Sequence, residues 1–230
     1  MADHQITKQL EKMRNDWDQR ARQNARHFVA TGQGAWSDDE FFQSGEQNLR
    51  EQIFTDLENI CQGKDRKQMK VLEIGCGAGR ITRPLANFFG EVYGVDISGE
   101  MVERARQALS ALPNARVFQN NGRDLGVLRE AGLHDGEIDF AFSYIVFQHI
   151  PSREIIETYV REVHRLLRPG ALFKFQVQGH IGEADPDDTW LGVSFTEEQA
   201  FAMAERCGFE MRYNHGAGEQ YYWLWFFKKE

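Results

Sequence analysis

With 230 residues, 41% apolar and 12% aromatic, the chain is long enough for one α/β domain carrying an extra N-terminal helical segment. A formal net charge of −8 argues against a sequence-independent nucleic-acid binder, and no apolar run reaches the roughly eighteen residues of a membrane span. The start lacks the apolar core of a signal peptide, and Cys61, Cys76 and Cys207 are scattered without metal-ligand spacing, so a cytoplasmic protein with reduced thiols is expected.

In chain order, Ile6, Leu10, Met13, Trp17, Ala21, Ala25 and Phe28 recur at steps of three or four and predict an amphipathic helix over residues 4–29. Thr31-Gly32-Gln33-Gly34 breaks it. Ser37-Asp38-Asp39-Glu40 reads as a capping box opening a second helix, with Phe42, Leu49, Ile53, Leu57 and Ile60 as its stripe. A charged connector over residues 63–68 leads into an apolar strand, Val71–Ile74. The chain then turns through Gly75-Cys76-Gly77-Ala78-Gly79-Arg80 into a helix carrying Ile81, Leu85 and Phe88. Pro84 falls near its first turn, where a missing amide costs little. Val92–Asp96 forms the next strand, Ser98 caps the helix after it, and Pro113 stops that helix.

Ile138–Ser143 is a further strand. Ser152 caps a helix bearing Ile155, Ile156, Tyr159, Val163 and Leu167, ended by Pro169-Gly170, and Ala171–Val177 is again a strand. Thr196 and Gln199 make another capping box, for a helix stopping at Gly208. Phe209–Asn214 and Tyr221–Phe227 read as strands around a Gly216-Ala217-Gly218 turn. Strands alternating with helices and closing on a hairpin predict a Rossmann-like α/β sheet of seven strands, mostly parallel with the last antiparallel, and helices on both faces. Residues 1–66 are then an N-terminal helical cap or lid, and 67–230 the core domain.

The most informative stretch is the first strand, its glycine turn and Asp96. An apolar strand, a glycine-rich bend, a helix and an acid 21 residues after Gly75 are the layout of a βαβ nucleoside-binding unit. A dinucleotide fingerprint starting at Gly75 requires glycine at position 80, where Arg80 stands. The spacing here is Gly75-x-Gly77-x-Gly79, preceded by Glu73 in the strand. That pattern closely resembles motif I of the class I S-adenosylmethionine-dependent methyltransferases. The resemblance continues in order through Val92–Asp96, Phe118–Leu125, Ile138–Ser143 and Leu166–Gly170. It covers roughly residues 70–178, with a tail to 230.

The resemblance implies S-adenosylmethionine as cofactor and S-adenosylhomocysteine as product. It implies a cofactor site formed by Glu73, Gly75, Cys76, Gly77, Arg80, Asp96, Ile97, Met101, Asn121, Gly122 and Ser143. The chemistry is consistent with these residue types. A compact zwitterionic tail needs a bend of small residues, and a carboxylate at 96 can accept from both ribose hydroxyls. Met101 is placed to cover the adenine face, Asn121 and Gly122 to meet its edge, and Ser143 to approach the methionine end. Arg80 pairs either with the methionine carboxylate or with a helix-surface acid. Cys76 is read as a small residue fitting a tight turn rather than a reactive thiol.

The acceptor is expected beside Ser143–Pro151. His149 is the titratable group of interest, either a general base for a hydroxyl or thiol or a loop-fixing hydrogen bond. Tyr144 is assigned to catalysis and to the pocket lining, with the alternative that it packs. His180 and Trp36 are further substrate candidates, and Trp17 and Phe28 belong to the core stripe. No metal is expected. There is no (Asp/Asn/Ser)-Pro-Pro-(Tyr/Phe) run after the fourth strand and no Pro-Cys pair, so a small-molecule acceptor methylated on O, N or S leads. The alternatives are a protein or RNA acceptor, a nicotinamide-dependent oxidoreductase, and a non-catalytic cofactor-binding regulator. Nucleic acid and membrane are not expected partners, and a homodimer is possible.

Overall fold

The computed structural model describes residues 2–31, 35–180, 182 and 188–230. Helix α1 (Ala2–Val29) fulfils the first amphipathic pattern, with Leu10, Met13, Ala21 and Ala25 buried. A non-helical residue, Asn24, interrupts it and turns Phe28 partly out of the stripe. The turn expected at residues 31–34 lies mostly outside the described residues. Helix α2 (Asp38–Gln52) opens on the Ser37–Glu40 capping box, with both reciprocal bonds present. It ends sooner than its stripe suggests: the chain passes through a 3-10 turn at Phe54–Asp56 into a short α3 (Leu57–Cys61). Phe41 rather than Phe42 takes the buried position.

Strand β1 (Lys70–Ile74), helix α4 (Thr82–Phe88), strand β2 (Glu91–Asp96), helix α5 (Gly99–Ala108) and strand β3 (Ala115–Gln119) follow. Then come α6 (Gly126–Glu130), β4 (Ile138–Ser143), α7 (Arg153–Leu166), β5 (Leu167–Val177), α8 (Glu197–Arg206), β6 (Phe209–His215) and β7 (Tyr222–Lys228). Pro169-Gly170 lies within β5, which begins four residues before the expected Ala171 because Leu167 already pairs with Ile138. The strands run in the order β3-β2-β1-β4-β5-β7-β6. β1 with β2, β2 with β3 and β4 with β5 are parallel, and β7 is antiparallel to both β5 and β6. This is the expected seven-stranded sheet with its reversed last strand.

By packing, the chain falls into two compact units, Met1–Met13 with Asn121–Glu230 and Arg14–Asn120. In the first unit, Phe147, Phe173, Phe175, Phe209 and Phe226 form a buried aromatic core, with the Phe173 and Phe175 rings stacked 4.2 Å apart. In the second, Cys76, Val102, Ala105, Leu109 and Val117 pack together. Among the described residues no helix is long and apolar enough to cross a membrane.

Candidate active site

Within Arg14–Asn120, the chain leaves β1 through three left-handed glycines: Gly75 at φ +74°, Gly77 at +52° and Gly79 at +83°. Side chains rarely tolerate these angles, whereas glycine adopts them freely. The Gly75 and Cys76 N–H groups both donate to the Val95 carbonyl, at 2.7 and 3.0 Å, folding the bend back onto β2. The tip of β2 completes the corner. Asp96 Oδ2 accepts from Gly77 N–H and Oδ1 from Ser98 N–H, each at 2.9 Å. Each carboxylate oxygen thus holds one amide and keeps lone-pair capacity for another donor. Burial pushes the Asp96 carboxyl up to about 6, against the lowering effect of these amides.

Glu73 is buried in β1 and accepts from Thr82 Oγ1 at 2.6 Å. Burial raises it to about 7, opposed by that hydrogen bond and by the charge of Arg80. Cys76 is also buried. A Cβ added at Gly94 would stand 2.9 Å from its Cβ, so a small residue is required on each side. Burial pushes its thiol well above the ordinary range, which suits a packing residue and not a thiolate.

The second half of α1 and helix α2 pack around this bend. Ala21, Ala25, Phe41, Ala78 and Met101 form one cluster, edged by Trp17, Val29 and Trp36. Met101 is therefore a buried packing residue at this corner, and Ile97 is buried beside it in sequence. Asp18 on α1 accepts from Ser98 Oγ at 2.6 Å and from Glu100 N–H at 3.2 Å, and Arg22 pairs with Glu100 at 3.0 Å. Asp18 thereby adds a carboxylate to the positive end of α5.

Arg80 points toward α2, donating to Asn48 Oδ1 at 2.6 Å and Ser44 Oγ at 3.3 Å. Gly45 makes the close approach possible, since a Cβ there would fall 2.0 Å from the Arg80 carbonyl oxygen. Trp36 donates its indole N–H to the Ala30 carbonyl at 2.7 Å, and Arg26 donates to the Trp36 carbonyl at 3.0 Å. Trp36 is thus bonded to the end of α1.

The other unit carries the remaining candidates. Asn121 is exposed, and its Oδ1 accepts from the N–H groups of Arg123 and Asp124 at 2.7 and 2.9 Å, forming an Asx turn. Gly122 is buried and left-handed at φ +79°. It helps to line a cleft of about 340 Å³ with Ile6, Leu10, Arg123, Glu154 and Ile155. Ser143 is buried at the end of β4. The Tyr144 ring stacks on Phe142 at 6.3 Å and lies 5.7 Å from Trp223.

His149 is nearly buried. Its Nδ1 lies 2.6 Å from the Trp190 carbonyl oxygen, and its ring lies 5.1 Å from the Trp190 ring. His180 is exposed, and its N–H donates to Gln178 Oε1 at 3.3 Å. Among the described residues no group of three or more His, Cys, Asp or Glu is placed to hold a metal ion.

Sequence reasoning missed Asp18, Gln176 and Trp190. Gln176 was discoverable. Lys174, Gln176 and Gln178 alternate with Phe173, Phe175 and Val177, a polar face on a strand whose other face is wholly apolar.

An α/β sheet in this order, with a glycine bend folded against the acid of its second strand, defines a nucleoside-type ligand corner. Residues 71–170 match the family model described as a methyltransferase domain. The magnesium protoporphyrin IX methyltransferase of Synechocystis PCC 6803, solved with bound S-adenosylmethionine, shares the fold at a TM-score of 0.65 and 18% identity, covering 96% of this chain and 97% of its own. A tocopherol O-methyltransferase of Arabidopsis thaliana is 30% identical over 54% of this chain and 33% of its own length. An uncharacterised 37.1 kDa protein in transposon Tn4556 of Streptomyces fradiae is 38% identical over 55% of this chain and 32% of its own. Residues 71–170 thus carry a methyltransferase domain, and the structure solved with S-adenosylmethionine shares its fold. The chain spans between 4% and 62% of the length of curated relatives that it matches.

Proposed function

We propose that the chain is an S-adenosylmethionine-dependent methyltransferase acting on a small-molecule acceptor. One observation carries the reading: Asp96, the acid at the tip of β2, is held at 2.9 Å against the amide of the glycine bend. The donor chemistry fits the group. Two ribose hydroxyls bring donors to a carboxylate with lone pairs to spare, and the bend of residues 75–79 brings backbone to an amino-acid tail without side chains in the way. Glu73, Cys76, Arg80, Ile97 and Met101 support this corner. Asn121, Gly122 and Ser143 are proposed as cofactor residues on the resemblance alone.

When bound, S-adenosylmethionine would supply a sulfonium methyl group to the acceptor's lone pair, with the S–C electron pair returning to sulfur and the acceptor's proton leaving to solvent. The protein has to orient the acceptor and exclude water. For His149, the bond from Nδ1 to the Trp190 carbonyl supports the loop-fixing role over the general base. Tyr144, packed against Phe142 and Trp223, is proposed as pocket lining, and Trp36 and His180 as substrate-side residues. A small acceptor is in keeping with the tocopherol O-methyltransferase among the relatives.

Calorimetry with S-adenosylmethionine, S-adenosylhomocysteine and NAD(P)H tests the reading. The first two are expected to bind and the nicotinamides to be silent. Binding of NAD(P)H alone overturns it.

A further inference from the structure

The loop that follows β4 carries a polar side chain left open by its surroundings. Gln148 is 5% exposed, and its Oε1 has no hydrogen-bond partner among the described residues. Its neighbour fixes which way the amide points. The Trp190 carbonyl oxygen only accepts, so His149 Nδ1 carries the proton of the neutral ring. The other ring nitrogen then offers a lone pair, and Gln148 Nε2 stands 3.4 Å from it. The amide N–H therefore faces the ring and Oε1 faces away; turning the amide over would set two acceptors against each other.

The backbone holds this arrangement firmly. Ile145, a β-branched residue, sits at φ +56°, a costly conformation, with its N–H donating to Gln176 Oε1 at 3.0 Å. Gly192 N–H donates to the Gln148 carbonyl at 2.6 Å and Val193 N–H to the Ile150 carbonyl at 3.0 Å. A Cβ at 192 would fall 2.3 Å from the Ile150 oxygen, so only glycine allows this zipper. Arg153 closes it, donating Nε and Nη2 to the Ser194 carbonyl at 3.1 and 2.7 Å. A buried acceptor without a donor is destabilising, and such groups together with backbone strain concentrate where a ligand uses them. The loop also leaves the carboxyl end of a parallel strand, the end at which open α/β sheets bind ligands.

We propose that Gln148 is the specificity-determining residue for the methyl acceptor, its Oε1 receiving a hydrogen bond from an acceptor O–H or N–H. This rests on the methyltransferase reading. It assigns the substrate class as hydroxyl or amine compounds, discriminated from the ethers and fully substituted amines that methylation yields. A product that has lost its donor leaves Oε1 open again and is released.

The test uses the full chain and a Gln148→Leu variant. S-adenosylhomocysteine is expected to bind both within about twofold, which shows that the variant is folded. With S-adenosylhomocysteine saturating, NMR titrations compare phenol with anisole, benzyl alcohol with benzyl methyl ether, and aniline with N,N-dimethylaniline. At least one donor compound is expected to bind the unaltered chain about fivefold more tightly than its counterpart, and Gln148→Leu to abolish that preference. No preference in any pair, or a preference that survives in the variant, overturns the proposal. Failure of the unaltered chain to bind S-adenosylhomocysteine instead overturns the cofactor reading beneath it.

Discussion

The glycine corner and the loop after β4 are built by opposite means. The corner is backbone work: left-handed glycines at 75, 77 and 79, amides turned onto the Val95 carbonyl, and a carboxylate 19 residues from the amide it accepts. The loop is side-chain work across long separations. Gln176 reaches Ile145 over 31 residues, and His149 and Arg153 each reach over 41, to Trp190 and Ser194. A corner made of backbone tolerates few residue types and so leaves a pattern in the chain. A loop held by side chains can be fixed in many ways, and its residues look ordinary until they are seen paired.

If the corner is the cofactor's, its single carboxylate dominates. Asp96→Ala removes the acceptor of two ribose donors and releases the Gly77 and Ser98 amides. At roughly 1.5–3 kcal/mol for each hydrogen bond to a charged group, the affinity for S-adenosylhomocysteine is expected to fall at least about a hundredfold by calorimetry. An affinity within threefold of the original breaks the assignment. The glycines come next. Gly77→Ala places a Cβ 2.9 Å from Val29 Cγ2 at a φ of +52°, whereas Gly132→Ala, at +89°, meets nothing within 4 Å. We expect about 2 kcal/mol and a Tm lower by roughly 4–8 °C for the first, and about half that for the second. Equal losses at the two positions would mean that helix α1 does not close on the bend.

The loop is sharpened by His149→Gln. If the ring fixes the loop through Trp190, glutamine keeps a donor of similar reach, S-adenosylhomocysteine binding stays within about twofold, and turnover falls less than about tenfold. A general base contributes about 10²–10⁴-fold, so a loss in that range with intact cofactor binding restores the catalytic assignment.

What was legible in the chain follows the same divide. The capping boxes at Ser37 and Thr196, the cap at Ser98, the bounds of β4 and the whole glycine corner were readable because each is local chemistry repeated wherever the backbone needs it. The early start of β5 was not, since strand pairing at Leu167 overrides local preference, and neither was the end of α2 at Gln52, within its apolar stripe. Asp18 illustrates the harder case. It sits one residue from Trp17 on an ordinary amphipathic helix, and only the approach of α5, 80 residues later, shows what it accepts.

The smallest effect is also the one that most cleanly separates the corner from the rest of the molecule. Asp96 has its carboxyl raised from 3.8 to about 6, and Glu73 from 4.5 to about 7, in both cases chiefly by burial. A folded-state pKa above the unfolded one means that the native chain binds more protons in the interval between them. Their contribution to stability is therefore fully present at low pH and is lost as pH rises through about 4 to 7. The exposed acids Asp135, Glu40 and Glu198, lowered by their partners, slope the other way. Glu73→Gln isolates the buried group and is expected to flatten the fall in Tm between pH 5 and pH 7. Cofactor affinity must run opposite to this stability, because ribose hydroxyls donate to an ionised Asp96. S-adenosylhomocysteine is expected to bind about tenfold more weakly at pH 5 than at pH 7.5, while the unliganded chain gains from its buried acids. Affinity that is flat across this range would mean that the carboxylate at the tip of β2 holds only its own backbone.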